Sequence, residues 1–202
     1  MKKKLILNSL LLFFLGVLSS LSLPPFNLFF INFFTFSLFF IFLFKKQNLK
    51  FNRRIFFYYG WLFGFGYFIT NIYWITISLT FDKNLNFLIP IALILIPAFL
   101  ALFYGLITLI FYLINFRNVI SSFFLFSLLF GLIEFIRGNI LTGFPWNLIV
   151  FSLSENLSLI SFLSIIGTYS FNLISISFFT APAIYILRKS KVETITCLLL
   201  LL

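Results

Sequence analysis

Glu134 is the one carboxylate that lies well inside an apolar stretch of this 202-residue chain. An ionised acid at the bilayer centre costs roughly 2.5–3.5 kcal/mol on insertion scales, less near an interface, so it needs a partner. Arg137 comes three residues later on the same helical side, and the two are expected to pair at a membrane boundary. Two roles are open for the pair: pinning the loop beyond it, or touching a substrate or lipid headgroup. Trp146 ends the segment Thr142-Gly-Phe-Pro-Trp146, where Gly143 and Pro145 would fix an irregular backbone able to hold the indole over a lipid-accessible opening. An interfacial aromatic belt explains Trp146, Tyr73 and Trp74 more simply.

The remaining chemistry is sparse. Cys197 is the single cysteine and sits in an apolar run, whereas a working thiolate needs a base or cation nearby and access to substrate. It is expected to be buried and inert. Histidine is absent, which excludes a Ser/His/Asp set and any Cys/His metal cluster within these residues, and there is no glycine-rich phosphate loop. The chain by itself therefore offers no catalytic constellation, and no cofactor is called for.

The elements that position these residues read as membrane spans. The chain is 62% hydrophobic and 9% charged, with 35 phenylalanines expected mostly to face lipid. Its apolar residues come in runs of roughly 17 or more rather than in amphipathic stripes. The net charge of +10 does not argue for nucleic acid, because Lys and Arg sit in clusters between apolar runs and not along one face. The fold class is all-α, a polytopic transmembrane helix bundle of six full spans plus a truncated seventh, forming one transmembrane domain over 1–202. Spans are expected at about 5–21, 28–44, 55–79, 87–114, 119–136 and 167–187, with a partial 192–202 and a possible interfacial helix at 156–166. Pro24-Pro25 stops the first span, and Pro90 and Pro97 should delay or kink the fourth. The seventh supplies about ten residues, half of the roughly 20 a bilayer requires, so the chain looks truncated.

An amino terminus in the cytoplasm puts every Lys and Arg except Lys83 and Arg137 on the cytoplasmic side, which agrees with the positive-inside rule and sends the chain's end outward. Lys2-Lys3-Lys4 before Leu5 could open a signal peptide, but no A-x-A-like site comes after it, so an uncleaved first helix is expected. Three helix faces recur at spacings of three and four. Gly60, Gly64, Tyr67, Asn71, Trp74 and Ser78 form the first, which includes a G-x-x-x-G pair. Ser127, Gly131 and Glu134 form the second, and Gly167, Ser170, Ser177 and Ala181 the third. Small residues on such faces are expected to pack helices closely.

The order Leu23-Pro-Pro-Phe-Asn27, Gly60-Trp-Leu-Phe-Gly-Phe-Gly66, Tyr73-Trp-Ile75, Glu134-Phe-Ile-Arg-Gly138 and Thr142-Gly-Phe-Pro-Trp146, continued by Gly167-Thr-Tyr169 and Asn172, resembles the apolipoprotein N-acyltransferase family. The resemblance implies a multi-pass enzyme of the bacterial inner membrane. It moves an acyl chain from a phospholipid donor to the terminal diacylglyceryl-cysteine of a lipoprotein acceptor, by ping-pong through a cysteine thioester. It also implies that the catalytic Glu, Lys and Cys belong to an extracytoplasmic nitrilase-like domain with no counterpart in these residues, so Cys197 is not that cysteine. Glu134, Arg137, Tyr73, Trp74, Pro145 and Trp146 carry over as loop support or lipid contacts.

Two other readings compete with the membrane part of such an enzyme. One is a non-enzymatic membrane scaffold for a separately encoded nitrilase-like partner. The other is a small transporter, disfavoured because Glu134 sits near one boundary rather than at the midplane.

Overall fold

In lipid a backbone must satisfy its own N–H and C=O groups, and long apolar runs with few breakers do so as α-helices. The computed structural model describes residues 2–47, 52–140 and 147–201, and among them it contains helices and no strand. In chain order the α-helices are α1 (Lys2–Ser20), α2 (Ile31–Gln47), α3 (Arg53–Asn71), α4 (Ile89–Ile114), α5 (Val119–Asn139), α6 (Leu157–Ile160), α7 (Leu163–Ile166), α8 (Thr168–Leu187) and α9 (Lys191–Leu201). Three 3₁₀ segments join them, Tyr73–Phe81, Lys83–Leu88 and Ile149–Leu153. The helix possible at 156–166 is a short apolar helical stretch, Leu157–Ile166, made of two turns, α6 and α7.

Among the described residues four helical stretches are long and apolar enough to cross a membrane: Lys3–Ser20, Lys83–Ile114, Val119–Asn139 and Thr168–Leu187. Arg53–Asn71 with Tyr73–Phe81 makes a fifth if the two, bent by 48°, count as one span. The expected six full spans are thus not all matched on length and apolarity. Helix α2 has 17 residues and lies in the middle of the bundle, where it touches α1, α4, α5 and α8.

The stretch expected as a third span at 55–79 is bent rather than continuous. Helix α3 ends at Asn71, where Thr70 Oγ1 donates back to the Gly66 and Tyr67 carbonyls at 2.8 and 3.1 Å. Such bonds bend helices. Past the bend, Thr76, Ser78 and Thr80 each donate a hydroxyl to the carbonyl three residues back at 2.7 Å, inside a 3₁₀ segment. Pro90 falls in the first turn of α4, which tolerates it, and the helix continues through Pro97.

Helix α3 is gripped on two faces. A Cβ at Gly60 would run into Thr108 and the Tyr104 carbonyl of α4, and one at Gly64 would meet Tyr104 and Ala101 at 2.8 and 3.1 Å. On the other face Gly66 abuts the Phe13 carbonyl of α1, while Gly16 of α1 abuts the Phe63 carbonyl. Aromatic rings fill the centre. Phe39 stacks on Phe63 at 4.2 Å, and Phe130 packs against Phe36 at 5.6 Å and Tyr104 at 5.2 Å. Phenylalanine is therefore core as well as lipid-facing surface: Phe36, Phe39, Phe63 and Phe126 are fully buried.

The contacts sort the two ends of the bundle. Lys4 lies beside Lys46, Gln47 Nε2 donates to the Phe116 carbonyl at 2.8 Å, and Phe56 stacks on Tyr112 at 4.3 Å. Tyr169 packs on Phe135 at 5.3 Å, so α8 runs antiparallel to α5 and finishes at the same end as Phe116. That end collects Lys4, Lys45, Lys46, Arg53, Arg54, Arg117 and the 188–191 cluster. Pro24-Pro25, Asn71, Tyr73, Arg137 and Asn147 lie at the opposite end.

Candidate functional site

Asn118 starts α5 by accepting from the Ile120 and Ser121 N–H groups, and the helix then carries Ser127, Gly131 and Glu134 inward to Arg137 near its far end. Arg137 Nε donates to Glu134 Oε2 at 2.6 Å, and its Nη2 also pairs with that oxygen. Each side chain is 1% exposed. The guanidinium lies 5.3 Å from the Phe68 ring centroid. Tyr104 comes close to the carboxylate, yet its hydroxyl and Glu134 Oε1 each lack a hydrogen-bond partner. The pair is enclosed by α3, α4 and α5 rather than set at an open boundary.

Two hydrogen bonds anchor the chain beyond α5. The Tyr67 hydroxyl donates to the Asn147 carbonyl at 2.8 Å, with Asn147 at a φ of 59°. The Val150 N–H donates to Asn172 Oδ1 at 3.0 Å, deep in the bundle. Gly138 closes the corner, because a Cβ there would collide with the Tyr169 hydroxyl. The Glu-x-x-Arg-Gly motif thus meets the Gly-Thr-Tyr motif at the start of α8.

A cavity of about 700 Å³ opens at this end. Leu23, Pro24 and Pro25 form one wall, Asn71, Tyr73 and Trp74 another, and Asn147 a third. Tyr73 and Trp74 are 57% and 38% exposed, and Asn71 Nδ2 has no hydrogen-bond partner. Beside it, Asn27 Nδ2 donates to Glu155 Oε1 at 2.6 Å and ties the proline turn to the segment before α6. An apolar recess with a few amide groups and two interfacial aromatics suits a lipid chain with a polar head better than a small polar solute.

The expected residues divide between the cavity, its backing and the helix contacts. Tyr73 and Trp74 share the cavity; Glu134 and Arg137 do not line it, but stand behind it through Phe68 and Tyr67. Asn71, expected on a packing face, is instead a cavity wall. Gly60, Gly64 and Gly131 sit at close helix contacts, Gly131 against Leu173. Gly167, expected on a packing face, precedes α8 at a φ of 81° with nothing among the described residues near its Cβ position, a conformation that serves the turn. Pro145 and Trp146 lie outside the described residues. Cys197 is buried on α9, and no group of three or more His, Cys, Asp or Glu able to hold a metal occurs among the described residues. Sequence reasoning read Pro24-Pro25 as a helix stop and Leu23 to Asn27 and Asn172 as motif positions, but placed neither Leu23, Pro24 and Pro25 at a cavity nor Asn172 in a bond to Val150.

The family model described as the apolipoprotein N-acyltransferase N-terminal domain matches residues 15–181. An apolipoprotein N-acyltransferase of Rhodopseudomonas palustris is 35% identical over 180 residues, covering 85% of this chain and 32% of the relative. One from Rhizobium rhizogenes is 31% identical over 194 residues, covering 93% and 36%. One from Rickettsia prowazekii is 38% identical over 173 residues, covering 80% and 32%. The chain spans about a third of the length of the curated relatives it matches.

Proposed function

The chain belongs to the apolipoprotein N-acyltransferase family, and from that premise we propose that it forms the membrane part of an enzyme that transfers a fatty acyl chain from a phospholipid to the amino terminus of a lipoprotein's diacylglyceryl-cysteine. In this reading the domain over 1–202 resides in the bacterial inner membrane with its amino terminus and basic end in the cytoplasm. Helix α2 counts as a sixth full span despite its length. The catalytic Glu, Lys and Cys act from a nitrilase-like domain on the outer side, and the membrane part admits and orients lipid.

The observation that carries this reading is the cavity at the end opposite the basic clusters, where Tyr73 and Trp74 face the Pro24-Pro25 turn. There an acyl chain would lie against apolar walls while its ester or headgroup meets the Asn71 amide. Trp146 is proposed as a lipid contact on the strength of its Thr-Gly-Phe-Pro-Trp setting in the sequence alone. Glu134 and Arg137 support the loop from behind and do not touch substrate.

The test is a chimaera in which these residues replace the corresponding part of a full-length family member. Lipoprotein N-acylation should persist, and Trp74→Ala should lower it about tenfold or more while membrane insertion is retained, the loss expected of a large aromatic contact. Trp146→Ala should act in the same direction. Full transfer in both variants would reduce the two tryptophans to belt residues and remove the cavity from the mechanism.

A further inference from the structure

The opposite end of the bundle carries a recess of its own. At the α8–α9 junction, Arg188, Lys189, Ser190, Lys191 and Thr194 line a hollow of about 340 Å³. Its backbone is held in place: Glu193, 6% exposed, turns inward and accepts from the Lys189 and Ser190 N–H groups, the latter at 2.9 Å. The one acid of the segment is therefore engaged by backbone, while Arg188, Lys189 and Lys191 stay exposed. The Arg188 guanidinium is stacked 3.5 Å from the centroid of the Tyr185 ring, which is itself 49% exposed on the outer side of α8.

We propose that this recess binds the phosphate headgroup of an anionic phospholipid. It lies at the carboxyl end of a helix of bilayer-crossing length, where headgroups stand. Three cations with the Ser190 and Thr194 hydroxyls match a phosphodiester, for which an arginine fork and lysine point charges are suited. Tyr185, Ile186 and Val192, all exposed beside the recess, give the acyl chains an apolar track. A second basic recess at the same end, of about 210 Å³, is lined by Arg53, Arg54, Phe57 and Leu109 and offers no hydroxyl. The inference rests on the chain being embedded in a bilayer and not on acyl transfer.

The experiment titrates the purified full chain in detergent with fluorescent phosphatidylglycerol, and with phosphatidylcholine for comparison. Saturable binding of phosphatidylglycerol is expected, weakened on the order of tenfold by Lys189→Gln with Lys191→Gln, since each basic group near an anionic surface contributes several-fold. Arg53→Gln with Arg54→Gln should change it less than about twofold. Arg188→Lys keeps the charge but loses the fork, and should weaken binding by an intermediate factor. Unchanged binding in the Lys189/Lys191 variant, equal loss in the Arg53/Arg54 variant, or equal affinity for phosphatidylcholine would overturn the proposal. Displacement of the lipid by millimolar inorganic phosphate would overturn the lipid assignment in favour of a free anion.

Discussion

Replacing Arg137 by Met removes both donors from Glu134 Oε2 and leaves a carboxylate, 1% exposed, whose other oxygen already lacks a partner. Methionine keeps most of the aliphatic volume, so the loss is electrostatic more than steric. Breaking a buried ion pair from one side costs about 3–5 kcal/mol. For a chain of this size, with about 2–4 °C per kcal/mol, the midpoint of thermal unfolding in detergent should fall by about 6–20 °C. Glu134→Gln together with Arg137→Met leaves no buried charge, and such replacements are commonly neutral or stabilising. The double variant should therefore recover most of the loss, a coupling of about 2–4 kcal/mol in a double-mutant cycle. Tryptophan fluorescence during heating reads all four proteins. An Arg137→Met midpoint within about 2 °C of the parent, or a double variant as unstable as the single one, would refute the picture of an enclosed pair whose members depend on each other.

The packing predictions use the same assay. Gly64→Leu drives a side chain into Tyr104 and Ala101, where backbone as well as ring must move, and should cost at least the 1–3 kcal/mol typical of overpacking; Gly131→Ala, whose nearest neighbours are atoms of the flexible Leu173 side chain, should cost clearly less, and equal losses would contradict the contact geometry. Asn172→Leu strands the buried Val150 N–H and should cost about 1–3 kcal/mol with faster hydrogen exchange at that amide, whereas unchanged exchange would mean the bond is not made.

The parts of this architecture that depend on near neighbours were legible in the chain, and those assembled across distance were not. Helices α5 and α8 begin and end within a few residues of the expected spans, because apolar runs bounded by polar and basic residues carry that information locally. The Glu134–Arg137 pairing is an i, i+3 relation that any helix enforces. Gly60 and Gly64 stood out through their spacing, and Gly66 as the end of a motif, but the approach of α1 to the other face of α3 joins Gly66 to Gly16 of a different helix, a pairing that no spacing within either helix reveals. The cavity draws on residues 20–26, 70–74 and 147–151, so no single window contains it. Hydropathy also cannot separate an α-helix from a 3₁₀ segment of equal apolarity, which is why 55–79 read as one span with no sign of the bend after Asn71.

That break in α3 has the larger consequence. Counting by threes and fours, Trp74 and Ser78 continue the stripe of Gly60, Gly64, Tyr67 and Asn71. The first part of this stripe is the surface that α4 covers: Gly60 and Gly64 touch Thr108 and Tyr104, and the Tyr67 ring stacks 6.1 Å from Tyr104. A helix running straight to residue 79 would carry Trp74 along that same covered face, where an indole cannot follow two glycines without forcing the helices apart. The 48° bend after Asn71 resolves the conflict. It lets the glycine-lined half of α3 lie close against α4 and turns Trp74 out to 38% exposure at the cavity wall. The Thr70 hydroxyl, bonded to two carbonyls of the last turn, sits at the residue before Asn71 and is placed to set that bend. Close packing below the bend and an accessible indole above it are therefore two results of one local feature of the sequence.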